Sequence, residues 1–180
     1  MEEPDPAAIR AAMGGDVSAF EVLVRAYQVP VWRFLRHLLG DAALAEDVTQ
    51  ETFLRIYQRL TSFRFQSRFS AWVFQVARNA GIDALRSRQR RDRLTRSLSP
   101  GPPPSAPDQR AELHEALGSL SPRLREALLV VEVLGLGYRE AGAVLSVPEG
   151  TVKSRVFHAR QQLAAWHERG DRSRREGLGP

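Results

Sequence analysis

Residues 97–109 read SLSPGPPPSAPDQ, and this stretch decides how the rest of the chain can fold. Five of the eleven prolines fall within it. Proline fixes φ and removes a backbone donor, so neither a helix nor an internal strand runs through such a segment. The composition predicts a semi-stiff, partly extended linker. A chain of 180 residues is thereby divided into two small lobes, 1–96 and 110–168, followed by a tail, 169–180, expected to be disordered. Bodies of this size bury a smaller fraction of their surface than larger domains do, so each is expected to be modest in stability.

On both sides of the linker the apolar residues recur at helical spacing, and no run alternates convincingly as a strand would. Ser18 and Glu21 in SAFE have the spacing of a capping box and open a helix that Gly40 closes. Further helices are expected over 42–60, 70–91 and 110–117. Another starts with Ser121 as cap and Pro122 in the first position. Two short ones follow, over YREAGAVL and from Glu149 onward. VVEVLGLGY is rich in β-branched residues, but its setting among helices argues against a strand. The fold class is therefore all-α: two small helical domains joined by a flexible Pro-rich linker.

The net charge of +5 conceals alternating blocks. Residues 61–96 carry nine arginines against two acids, and 149–180 seven basic residues against four acids, whereas 1–60 and 97–148 are net acidic. Two basic blocks on expected helices point to a polyanionic partner. The chain has no cysteine, which removes disulfides, zinc ribbons and thiol chemistry. His37, His114, His158 and His167 do not cluster at metal-ligand spacing, so neither metal nor cofactor is expected. The acidic opening MEEPDPAAIR lacks the apolar run of a signal peptide, and no apolar stretch is long enough to span a bilayer. A soluble, cytoplasmic protein without membrane insertion is expected.

Three helical faces carry the functional reading. In EGTVKSRVFHARQQL, residues at 100° intervals place Val152, Val156, Ala159 and Leu163 in one narrow arc, the buried stripe. Ser154, Phe157 and Gln161 point the opposite way, with Lys153 and His158 beside them, while Arg155 and Arg160 flank the stripe within reach of phosphates. A short helix, a tight turn and then this helix is the sequence form of a helix-turn-helix, whose second helix enters the DNA major groove. Lysine donates to guanine acceptors, serine and glutamine bond base edges, and phenylalanine presses on a thymine methyl. The only acid in the stretch is Glu149, at the helix start where the macrodipole favours it. An ordinary solvated face would mix Glu with Lys throughout.

In AEDVTQETFLRIYQRL, Ala45, Val48, Thr52, Phe53, Ile56 and Leu60 lie on the core side. Asp47, Gln50, Glu51 and Leu54 lie opposite. An outward leucine ringed by acids and amides is either a protein-docking patch with a polar rim or one unremarked surface leucine. In FRFQSRFSAWVFQVARNAGIDALRSRQRR, aromatics alternate with arginines before and along a helix. Rings stack on unpaired bases, arginines hold phosphates and amides read base edges, which suits single-stranded DNA. The competing reading is that Trp72 and the phenylalanines complete the core, and some of them are expected to do so.

These segments, in this order and spacing, resemble the sigma-70 family, specifically its small extracytoplasmic-function (group IV) sigma factors. AEDVTQETFL is similar to region 2.2 of that family, FRFQSRFSAWVFQVARNAGIDALR to regions 2.3 and 2.4, and LSPRLREALLVVEVLGLGYREAGAVLSVPEGTVKSRVFHARQQL to region 4. The resemblance implies that residues 1–96 dock on core RNA polymerase and melt DNA, and that 110–168 read a second promoter element. Asp47, Gln50, Glu51 and Leu54 would meet the β′ clamp helices. Phe63, Arg64, Arg68, Trp72, Val76, Asn79 and Arg86 would hold the minus-ten element, with a flipped base in the loop. Thr151, Lys153, Ser154, Arg155, Phe157, His158 and Arg160 would engage the minus-thirty-five element, with region 4 against the β flap. The linker would span the two elements on polymerase, and an anti-sigma factor is the implied inhibitor. Three positions depart from the family pattern. Phe65 replaces the glycine of a usual Phe-Arg-Gly loop. Ala141 and Gly142 stand where Ile and Ala are common, and a helix-interior glycine costs about 1 kcal/mol relative to alanine, which predicts a loosened module. His158 replaces a frequent arginine, which implies a changed base preference.

Two other classes fit parts of the sequence. A polymerase-independent helix-turn-helix repressor or activator accounts for 138–163 but leaves the Asp47–Leu54 face and the aromatic loop without a role. A nuclease would need a metal at Asp47 and Glu51, where no histidine or third acid stands at suitable spacing.

Overall fold

The computed structural model describes residues 3–95 and 109–176. Of the expected linker, 97–109, residues 97–108 lie outside them, and Gln109 already opens a helix. The chain separates into two compact units on either side of residues 103 and 104, and every element among the described residues is helical.

The first unit holds α1 (Pro6–Met13), α2 (Val17–Leu39), α3 (Ala42–Arg59), one 3-10 turn (Leu60–Ser62) and α4 (Phe69–Thr95). Three aspartates start its first three helices. Asp5, Asp16 and Asp41 accept the backbone N–H groups of Ala7 at 2.7 Å, Ala19 at 3.0 Å and Leu44 at 3.1 Å. Each satisfies a donor that the helix itself cannot. The expected Ser18 cap is thus corrected to Asp16, an ionised acceptor two residues earlier that the helix dipole also favours. The short α1, with Pro6 in its first turn, was not expected from apolar spacing. It offers only Ile9 and Ala12 to the core. Gly40 ends α2 in the left-handed region at φ 73° and donates to the Arg36 carbonyl.

Leu23, Tyr27, Val31, Phe34, Leu35 and Leu38 form the buried stripe of α2. It meets Ala45, Val48, Thr52 and Ile56 of α3 and Phe69, Val73, Phe74, Ala77 and Ala80 of α4. Edge-on ring pairs join α2 to α4, Tyr27 with Phe69 at 5.7 Å and Phe34 with Phe74 at 6.2 Å. Burial on both sides of Pro30, at Tyr27 and Val31, carries α2 through a residue that would break an isolated helix.

The second unit holds α5 (Gln109–Ser119), α6 (Pro122–Leu128), a wider π turn (Leu129–Val133), α7 (Tyr138–Leu145) and α8 (Glu149–Glu176). Ser121 and Pro122 take the N-cap and first positions of α6 as expected, but the Ser121 side chain makes no capping hydrogen bond. VVEVLGLGY is a helical turn and a loop, not a strand. The segment 169–176, expected to be disordered, continues α8. Its Arg and Glu residues are good helix formers, and a single glycine, Gly170, does not stop a helix already propagating.

Gly142 has a role opposite to loosening. It is buried in α7, and a Cβ built there would lie 2.7 Å from the Val147 carbonyl oxygen. The Val147 N–H donates to the Gly142 carbonyl at 3.0 Å. The turn folds back on the helix so closely that only a hydrogen fits between them. Ser146 completes the turn in the left-handed region at φ 55°.

Candidate nucleic-acid and polymerase interfaces

The turn after α7 fixes how α8 is presented. Val152, Val156 and Ala159 are fully buried, as their spacing predicts, and they clamp α8 against its own unit. Lys153, Ser154, His158 and Arg160 are therefore exposed, and Phe157 stands 58% exposed, its ring edge-on to His158 at 5.6 Å. Thr151 and Arg155 are half-buried at the border. An exposed aromatic between a lysine, a serine and a histidine offers donors, an acceptor and an apolar surface on one helix face.

Two of these cations already have partners. Lys153 lies 2.7 Å from Glu149 one turn earlier and 5.7 Å from the Tyr138 ring centroid. The Glu149 carboxylate, as hydrogen-bond acceptor and then as charge, raises the pKa of Lys153. Arg160 pairs with Glu132, which raises it in the same way. The Glu149–Lys153 pair has the i, i+4 spacing that stabilises helices and was legible in the sequence. Glu132 was not, because it lies on the π turn of a different element.

On α3, Asp47, Gln50, Glu51 and Leu54 are all exposed and share one face, and Leu54 is 59% exposed. Tyr57, which apolar spacing did not single out, extends this face and packs edge-on against Phe20 at 5.0 Å. Glu51 accepts from Arg55 at 2.8 Å, and Arg55 reaches Asp83 on α4 at 3.1 Å. Both carboxylates hold the Arg55 pKa above its ordinary value, Glu51 the more strongly. The α3 face is thus braced against α4.

The loop and helix expected to face single-stranded DNA divide into two sets. Arg64, Arg68, Asn79 and Arg86 are exposed. Phe63 and Val76, named with them from sequence, are buried, at 4% and 7% exposure, and belong to the core. Phe63 is the hub of the loop, with its ring centroid 4.9 Å from Phe65, 5.3 Å from Phe69 and 5.6 Å from Trp72. Apolar area removed from water stabilises these rings where they lie. Trp72 is half-buried against Phe63 and Phe69. Phe65, not counted among the DNA contacts from sequence, is the ring the loop exposes, and its backbone is left-handed at φ 54°. The family's glycine position keeps a glycine-type backbone here although a phenylalanine occupies it. Among the described residues no three His, Asp or Glu side chains gather to hold a metal ion, and no helix is long and apolar enough to cross a membrane.

Two helical units, one ending in a helix-turn-helix with an outward-facing second helix, define a two-part DNA-binding protein. Residues 23–91 match Sigma-70 region 2, and residues 110–163 match Sigma-70, region 4. The chain is 36% identical over 167 residues to the ECF RNA polymerase sigma factor SigC of Mycobacterium tuberculosis, covering 89% of each. It is 38% identical over 152 residues to SigM of Bacillus subtilis, covering 80% of this chain and 92% of that one. Among solved structures, the sigma factor RpoE in complex with the anti-sigma factor NepR from Bartonella quintana superposes with a TM-score of 0.73 at 27% identity, over 84% of this chain and 98% of that one. The chain belongs to the extracytoplasmic-function sigma factors of the sigma-70 family. Its function is that of an RNA polymerase sigma factor, directing transcription initiation at promoter DNA.

Proposed function

We propose that α8 reads the minus-thirty-five element through Lys153, Ser154, Phe157 and His158, with Arg155 and Arg160 near phosphates. The exposed Arg64, Arg68, Asn79 and Arg86 of the loop and α4, with the half-buried Trp72 and with Phe65 added, hold the melted minus-ten strand. Asp47, Gln50, Glu51 and Leu54 dock on the β′ clamp helices. The observation that carries this reading is the face of α8. A buried Val152–Val156–Ala159 stripe turns an exposed Phe157 and its polar neighbours outward, and such a surface has no use in a chain that only folds.

Recognition proceeds without covalent chemistry. Arginine contacts supply a salt-dependent attraction, and base contacts of roughly 1–3 kcal/mol each select the site. Capture of an extruded base offsets a few kcal/mol of unstacking. An anti-sigma factor that occupies the same faces is the proposed regulator, supported by the likeness to a sigma factor solved with one. The test is run-off transcription with purified core polymerase on a genomic promoter library. Discrete transcripts from defined starts are expected, and loss of that selection in a Lys153→Ala, Phe157→Ala double variant. RNA synthesis with no defined start would reject the reading.

A further inference from the structure

The Phe63–Arg68 loop enters α4 without a cap of its own. Arg68 stands immediately before Phe69, and arginine has no acceptor for the first N–H groups of a helix. The acceptor comes from the far end of the unit. One oxygen of Glu3 accepts the Phe69 N–H at 2.9 Å, the other accepts the Ser70 N–H at 3.3 Å, and the carboxylate lies 3.4 Å from Arg68 Nε. The same short segment touches the loop a second time, where the Arg10 guanidinium sits over the Phe65 ring, 5.3 Å from its centroid. Between these contacts, Asp5 and Pro6 start α1 and Ile9 is buried, so the two groups sit on one firm element.

We propose that residues 3–10 are a positioning clamp for the minus-ten loop, with Glu3 and Arg10 holding it in the course it needs to receive single-stranded DNA. The proposal rests on the reading of that loop given above. Its physical basis is Phe65. A φ of 54° is disfavoured for any residue with a Cβ, so the loop left to itself spreads over other courses. Apparent affinity falls with the fraction of molecules in the competent conformation. A cap on α4 and a cation on the Phe65 ring raise that fraction without touching DNA. Where a glycine occupies the position of Phe65, the left-handed turn is free and no clamp is required.

The experiment uses holoenzyme assembled on core polymerase. Its probes are a fluorescent single-stranded minus-ten oligonucleotide and a minus-thirty-five duplex, both from a promoter selected in the run-off assay. Glu3→Ala is expected to weaken oligonucleotide binding about fivefold, the equivalent of one lost helix cap, with duplex binding unchanged. Glu3→Gln keeps an acceptor oxygen and should recover part of the loss, a rescue that general destabilisation would not show. Arg10→Ala, at an exposed position, should weaken oligonucleotide binding in the same direction. Unchanged binding by Glu3→Ala overturns the proposal. So does tighter binding, which would mean that the carboxylate competes with DNA for Arg68. If wild-type holoenzyme ignores the oligonucleotide, the minus-ten reading itself falls and the clamp with it. Wild-type binding that is insensitive to both variants removes the clamp alone.

Discussion

Gly142 shows how magnitude decides between two effects at one residue. Helix propensity alone favours alanine there by about 1 kcal/mol. The added methyl, however, would sit 2.7 Å from a backbone oxygen that belongs to the recognition turn, and a backbone atom cannot step aside as a side-chain end can. Overpacking of this kind costs typically 1–3 kcal/mol, so steric conflict outweighs propensity. Gly142→Ala is expected to lower the stability of the second unit by up to about 2 kcal/mol net of those two effects, read as an earlier urea midpoint in that unit. A later midpoint would show that the turn adapts at no cost. Arg160 poses a different residue-scale question, since its charge is already paired with Glu132. DNA must exchange that carboxylate for a phosphate. Glu132→Gln should tighten DNA binding at low salt because no carboxylate has to be displaced, and Arg160→Ala should flatten the salt dependence by about one phosphate contact. An unchanged slope in a salt titration would show that Arg160 never reaches the backbone.

At the scale of elements, the outward face of α8 was legible although its length was not, a short helix being expected where it runs to Glu176, and that face carries the sharpest prediction about selectivity. His158 is exposed beside Phe157, on the face proposed to read bases. Arginine at this position would bond guanine in two places, so His158→Arg should shift preference at one base pair of the minus-thirty-five element by about tenfold, within the roughly 1–3 kcal/mol of a good base contact. Selection from a randomised element would detect it, and an identical selected sequence would take His158 off the reading face. The bounds of α7 and the buried Val152–Val156–Ala159 stripe were legible because periodicity and a tight turn are local signals. Other features were not. The Glu3 cap on α4 joins residues 66 apart in sequence, and Arg160 meets Glu132 across 28. Neither pair leaves a pattern in a short window. Phe63 was assigned to the DNA face for a related reason, whereas Val76 has core-side helical spacing and was named there only by the resemblance. An aromatic run before a helix reads the same whether its rings face solvent or core, and only the packing of Phe63 among Phe65, Phe69 and Trp72 separates the two.

At the scale of the whole molecule, function depends on two units acting at once. Each is proposed to use few strong contacts: one helix face in the second unit, an exposed loop edge and four exposed arginine or asparagine side chains in the first. Neither is expected to select a promoter alone. Covalent connection turns the second engagement into an intramolecular event, and the gain depends on the length of the tether. The Pro-rich composition of 97–109 fits this role, because restricted φ angles narrow the distances the chain explores. Separating the units within that segment, and supplying both halves at equal concentration with core polymerase, should reduce promoter occupancy by about 10²–10⁴. Doubling the tether with a Gly/Ser insert of the same length should be far milder, about threefold, because effective concentration falls roughly as the −3/2 power of length. A short insert as damaging as complete separation would mean that residues 97–109 bind polymerase by their own sequence, not merely by joining the units. The two variants, measured side by side on one promoter, distinguish a tether from a third contact.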